Sequence, residues 1–245
     1  MTRLRRLPLD VWFEPLIIIV LAVGWAIWYL NTTFTSTEQA SMTWSSLQTT
    51  IIKHIELTLS ATVIVVLIAI PLGIVLTRES TRWLNPIAVN IANIGQAAPA
   101  VGLLVLFTFW LGTGFTTAVV GLVVYAVLPI LQNTIVGLDQ VDKRTIEAAR
   151  GMGYSAARTL FEVELPLAIP VILNGVRIAL VILVGTATLG TFIGATSLGT
   201  LITTGVTLFL PKLLISGAIL VGLLAMIIDW LGRLVEYAAT PKGLS

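Results

Sequence analysis

Six stretches of this chain, at about 13–30, 56–77, 87–111, 116–137, 168–194 and 213–232, run for roughly 20 residues each with almost no charge, the length an α-helix needs to cross about 30 Å of hydrocarbon. Nothing else in the sequence constrains the fold as tightly. Backbone immersed in lipid must satisfy its own hydrogen bonds, and these runs lack the ten-residue alternation of barrel strands, so helices are expected throughout. Only 11% of the 245 residues are charged and 57% are hydrophobic, against about 25% charged in a soluble domain. The expected fold class is all-α integral membrane.

Charge placement orients the spans. Arg3, Arg5, Arg6, Arg78, Arg82, Lys143, Arg144, Arg150, Arg158, Arg233 and Lys242 fall on one side of a six-span arrangement, and Lys53 and Lys212 on the other. The positive-inside rule then puts both termini in the cytoplasm. The isoelectric point near 9.2 accompanies a net charge of only +2, spread between apolar runs, so nucleic acid is not an expected partner. With no cysteine, neither disulfides nor thiolate chemistry can operate. The run Leu16–Leu30 follows basic residues but no small-x-small site follows it, so it reads as a retained first span and not a secretory signal.

Residues 1–50 are expected to hold the N-terminus, this first span and a polar outer linker from Asn31 to Lys53, leaving the first span peripheral to a five-helix core. Residues 51–236 form the main transmembrane domain and 237–245 a cytoplasmic tail. Trp12, Trp25, Trp28 and Tyr29 lie near the ends of span one, where amphipathic rings favour the interface. Pro86, Gly95 and Pro99 in span three, and Pro170, Gly175, Gly185 and Gly190 in span five, predict that neither is straight.

The loop 139–166 between spans four and five is too charged for lipid. Asp142 suits the N-cap of a helix through Arg150, which Gly151 and Gly153 would end. A second short helix from about Ser155 to Leu165 would put Ala157, Leu160, Phe161 and Leu165 on one face, with Pro166 turning the chain into span five. Such a pair could lie on the membrane surface or present a docking face.

The order Glu147-Ala148-Ala149, three residues, Gly153, nine residues, then Val163-Glu164-Leu165-Pro166 resembles the EAA loop of bacterial ABC importer permeases, with Val163 where isoleucine is commoner. The resemblance covers about residues 51–236. It implies the type I importer permease fold and a cytoplasmic coupling helix that docks on a separate ATP-binding subunit. Glu147, Ala148 and Gly153 would form the coupling elbow, with Ala149, Leu160 and Phe161 as further ATPase-coupling residues and Leu165 and Pro166 placing the next span. Implied partners are ABC ATPase subunits, a second permease copy or relative, and an extracytoplasmic substrate-binding protein. ATP and Mg would sit on the ATPase, with no cofactor on this chain.

Gln96-Ala97-Ala98-Pro99, the stretch Tyr125 to Thr134, and Gly185-Thr186-Ala187-Thr188 with Gly194 and Gly199 further resemble the osmoprotectant branch, implying cargo such as glycine betaine, carnitine or choline. Tyr125 and Trp110 are candidates for an aromatic cage around a methylated cation, or ordinary packing aromatics. Gln96, Gln132, Asn133 and Asn174 would line the pathway or bond between helices, and Pro99, Thr186 and Thr188 join them as pathway candidates. Gly190-xxx-Gly194 matches a close-packing pattern. Arg177, the one charge well inside a span, would snorkel to the cytoplasmic interface or meet a loop carboxylate. Asp229 and Arg233 would pair locally.

The chain has no GxxxxGK[ST] loop, so energy from ATP would come through a partner and the chain is not itself expected to be an enzyme. An amino acid or another small solute is the alternative cargo. An ion-coupled secondary transporter would need mid-membrane acids or histidines, and none is expected. An intramembrane enzyme has only His54 to work with, and beside Lys53 and Glu56 it reads as an interfacial surface residue.

Overall fold

The computed structural model describes residues 10–239, which form an all-helical bundle. Arg3, Arg5, Arg6 and Lys242 lie outside the described residues. The helices are α1 (Asp10–Asn31), α2 (Ser36–Ser41), α3 (Trp44–Leu76), α4 (Asn85–Ala97), α5 (Ala100–Leu111), α6 (Phe115–Asp139), α7 (Lys143–Gly151), α8 (Ala156–Thr159), α9 (Leu165–Ala187), α10 (Gly199–Thr207) and α11 (Pro211–Ala239).

Five spans are continuous, on α1, α3, α6, α8–α9 and α11, and the third is broken. Between α4 and α5 the axis turns by 98°. Pro99 disfavours helix at the residue before it, and Ala98 accordingly takes an extended conformation with ψ 143°.

The core lies where α3, α6 and α9 meet, around Leu57, Ala61, Val65, Leu122, Ala126, Ile130, Ala179 and Leu183. Without a hydrophobic drive between helices in lipid, close contact depends on small residues. Gly175 of α9 faces α6 so closely that an added Cβ would lie 2.5 Å from the Asn133 Cβ and 2.9 Å from the Pro129 carbonyl.

Three expectations about helix boundaries and faces need correcting. The polar segment 31–53 is largely helical: α2 is closed by a capping box in which the Thr35 N–H donates to the Glu38 carboxylate at 2.8 Å, and α3 begins at Trp44 on a Thr43 cap. Span two thus protrudes well beyond its apolar window, since capping chemistry can extend a helix where hydropathy gives no signal. The second loop helix is not separate either. From Ala156 the chain runs without a break into α9, through a wide π turn at Leu160–Glu164 in which the Leu165 N–H bonds to the Leu160 carbonyl. Wider turns of this kind can accommodate a proline that would otherwise clash one turn back, so Pro166 does not end the helix.

Thirdly, Gly190 and Gly194 share no helix face. Thr188–Ile193 is a 3-10 turn ended by Gly194 at φ 82°, a left-handed conformation suited to glycine. Gly190 alone makes the close approach, to Ala195, Leu57 and Ala118.

The first span lies on α11 and exposes most of its apolar side chains. At one end Trp25 stacks on Tyr29, whose ring also meets Phe34, and the Tyr29 hydroxyl donates to the Met42 carbonyl at 2.7 Å. At the other, Glu14 approaches Arg233 at 3.4 Å. Arg233 also makes the local pair with Asp229, at 3.0 Å. Arg177 pairs with acids of α11 and not with a loop carboxylate. It turns into the groove between α9 and α11, 3.6 Å from both Asp229 and Glu236 and within 3.0 Å of the Asn174 amide oxygen. Gly232 makes the room: a Cβ there would sit 2.9 Å from the arginine Cγ.

Candidate coupling surface and translocation residues

The charged loop projects from the end of the bundle that carries Arg78 and Arg82. Asp142 caps α7, accepting the Arg144 N–H at 2.9 Å. The helix closes with Gly153 at φ 89°, the Gly153 N–H bonded to the Arg150 carbonyl and the Tyr154 N–H to the Ala149 carbonyl. This paired closure is the Schellman pattern, which requires a left-handed residue at the bend. Ala149 is buried against the bundle while Glu147, Ala148, Met152 and Gly153 face outward.

After the elbow, Ser155 caps α8 by accepting the Arg158 N–H. Arg158 lies 4.0 Å above the Tyr154 ring and bonds Glu162 at 3.0 Å. Phe161 points outward, 67% exposed, whereas Leu160 and Leu165 pack beside Leu138, Ala168 and Ile172. The expected coupling residues therefore divide: Glu147, Ala148, Gly153 and Phe161 make an outward face, and Ala149, Leu160 and Leu165 hold it to the bundle. Pro166 is half-buried at the start of α9.

Two ion pairs frame this face. Glu164, almost wholly buried, takes two hydrogen bonds from Arg78, at 2.7 and 3.3 Å. Arg82 reaches both oxygens of Asp139 at 3.2 Å. These four residues line an open cleft of about 660 Å³ together with Glu79, Lys143, Glu147 and Arg150. The sequence reading did not single out this frame, because partners 86 and 57 positions apart leave no local pattern.

The pathway candidates are more dispersed. Tyr125, Gln132 and Asp139 recur at seven-residue spacing on one face of α6, joined by the exposed Val136. Gln96 is half-buried on α4 and Pro99 is exposed at the α4–α5 break. The Asn133 amide donates to the Pro129 carbonyl at 2.8 Å, Asn174 accepts from Arg177, and Thr186 and Thr188 donate to carbonyls of α9. Trp110 is 70% exposed, and neither it nor Tyr125 is in ring contact with another aromatic among the described residues.

His54 departs from the sequence reading. It is completely buried, with Nε2 2.9 Å from the Val184 carbonyl and Nδ1 accepting the Leu198 N–H at 3.3 Å. Its charged neighbours Lys53 and Glu56 pair with each other at 2.8 Å on the exposed side of α3. Only the helical turn separates them from the histidine, and adjacent sequence therefore misled.

Residues 69–239 match the family described as binding-protein-dependent transport system inner membrane component. The choline transport system permease OpuBB of Bacillus subtilis is 42% identical over 192 residues, covering 78% of this chain and 88% of that protein. The glycine betaine/carnitine/choline permease OpuCB of the same organism is 40% identical with the same coverage, and the carnitine permease OpuCB of Listeria monocytogenes is 39% identical over 193 residues, covering 78% and 87%. In fold the chain resembles a subunit of the MetNI methionine ABC transporter in an inward-facing conformation, with a TM-score of 0.71 at 24% identity over 82% of this chain and all of that one. A chain bent, capped and packed in this way, matched along most of its length, belongs to the family of binding-protein-dependent transport system inner membrane components, the permeases of ABC importers.

Proposed function

We propose that this chain is the permease subunit of an ATP-driven importer for compact quaternary amines, the class to which choline, carnitine and glycine betaine belong. The cargo assignment is supported by the named transport activities of the relatives. Coupling is supported by one observation above the rest: the Lys143–Phe161 segment turns an exposed face outward from the bundle beside a frame closed by Arg78–Glu164 and Arg82–Asp139. A docking surface needs an exposed contact face on rigid supports, and this segment has both.

The basic end that includes Lys143, Arg144, Arg150 and Arg158 faces the cytoplasm, with both termini there. Closure of two ATP- and Mg-binding subunits moves the docked elbows, and the spans alternate between outward and inward openings. A second permease completes the pathway, toward which the Tyr125–Gln132 face of α6 turns. An extracytoplasmic binding protein delivers cargo.

The test is uptake of radiolabelled choline and glycine betaine by proteoliposomes holding this chain with its ATPase and binding protein. ATP-dependent uptake that Gly153→Asp abolishes in a correctly assembled complex is the expected result. Uptake driven by an ion gradient without ATP would overturn the reading.

A further inference from the structure

The two ring nitrogens of His54 hold backbone on either side of one compact turn, at Val184 in the last turn of α9 and at Leu198 just before α10. A backbone N–H can only donate, so the nitrogen facing Leu198, Nδ1, carries no proton, and Nε2 donates to Val184. The Val184 carbonyl is open to it because α9 tightens at its end: the Thr188 N–H bonds Gly185, three residues back. Leu198 immediately precedes α10. Between these two anchors the chain folds on itself, with the Ala195 N–H on the Gly190 carbonyl and the Gly114 N–H of the α5–α6 turn on the Ile193 carbonyl. Gly199 is pressed so hard against Thr188 that a Cβ would fall 2.0 Å from its carbonyl oxygen.

The turn supplies Thr188, Leu189 and Phe192 to one wall of a cleft of about 250 Å³, and α10 supplies Ile202, Thr203 and Val206 to the other. One wall follows Val184 and the other follows Leu198, so the histidine sets their separation. Resting on the importer reading and orientation above, we propose that His54 is the pin of an extracytoplasmic gate: a positioning residue that closes the 188–198 turn, and whose two hydrogen bonds break each time the gate opens.

The closed arrangement accepts only the neutral ring. A second proton would convert Nδ1 into a donor facing the Leu198 N–H, with nothing to balance the charge. Residues 57–76 of α3, 83–138 including α6, and 178–211 spanning the end of α9, the turn and α10 contain no charged side chain. Elsewhere at this end, Lys53 is paired with Glu56, and Lys212 lies 3.8 Å from Glu38. Once the gate opens, the ring meets outside water and protonates in the ordinary imidazole range near pH ~6.5. A protonated ring blocks reclosure, so acid outside traps the gate open and slows uptake.

The chain has no cysteine, and Ser197 is fully buried in the turn, which makes Ser197→Cys a reporter of opening in the reconstituted complex. A membrane-impermeant maleimide added outside should leave the resting complex unlabelled and label it when ATP is supplied. Adding His54→Leu should speed labelling without ATP about tenfold, the scale of losing two neutral hydrogen bonds. Uptake by the complex without either substitution should fall about tenfold between pH ~7.5 and ~5.5, following imidazole protonation. His54→Gln offers one donor and one acceptor but takes no proton, and should escape that fall. A reporter that stays protected while uptake proceeds, or a His54→Gln profile that follows the unsubstituted one, overturns the proposal. If His54→Leu does not assemble, the glutamine profile decides. Failure to take up any cargo offered counts against the importer reading, whereas ATP-driven labelling tests the pin without cargo.

Discussion

Glu164 and Arg78, 86 residues apart, meet in two hydrogen bonds that tie the end of α3 to the root of α9, with 4% of the glutamate side chain and 34% of the arginine exposed. Removing one member of such a pair leaves the other charge with unmet desolvation. Arg78→Ala should therefore cost about 3 kcal/mol, the low end for breaking a buried pair because the arginine is one-third exposed. Thermal unfolding of the purified complex checks this. Exchanging the residues, Arg78→Glu with Glu164→Arg, should recover part of the loss, and no recovery would deny the pairing.

At the elbow, Gly153 has a left-handed backbone but open space around its missing Cβ. Gly153→Ala should thus lose about 1–2 kcal/mol of local stability from backbone strain alone. Gly153→Asn should lose less, since asparagine tolerates that conformation. Hydrogen exchange across 143–159 distinguishes the two, and equal protection in both variants would argue against strain.

Gly199 and Gly222 predict opposite outcomes for the same substitution. Gly199→Ala drives a methyl into the Thr188 backbone and should prevent assembly, while nothing lies within 4 Å of a Cβ on Gly222. Gly222→Ala should be neutral or stabilise α11 by up to about 1 kcal/mol through helix propensity. Yield of monodisperse protein and its melting temperature report both.

Glu38 predicts a pH dependence. The Thr35 N–H bonded to its carboxylate, with help from the Thr35 hydroxyl and Lys212, outweighs burial and holds it below the ordinary carboxylate range. A group depressed on folding adds stability that is present above its unfolded value and disappears as pH falls through its folded one. Glu38→Gln should be the less stable protein at pH ~7, with the gap closing in acid below the ordinary carboxylate value near ~4.3. Melting curves from neutral pH downward test it, and a gap that persists undiminished at the acid end would refute it.

The spans were legible because hydrocarbon thickness sets a length that apolar runs must meet, and the elbow because Gly153 and the Asp142 cap follow local rules. Less legible was whatever depends on distant partners. Pro99 announced a bend but not its 98° angle, which depends on packing against α6. Arg177 could not be placed without Gly232, nor His54 without Val184 and Leu198, 130 and 144 residues away.

The unbroken run from Ala156 to Ala187 has a mechanical consequence. Pro166 makes no break between the exposed Phe161 and the apolar length of α9, so on the coupling proposal a displacement at that ring would pass into the helix without a gap in the chain of turns. On that proposal α9 would serve as a lever of about 34 Å at 1.5 Å per residue, with the Arg78–Glu164 contact near its fulcrum. A small push at the short arm would then become a larger sweep at the far tip, beside Thr188 and the turn anchored by His54.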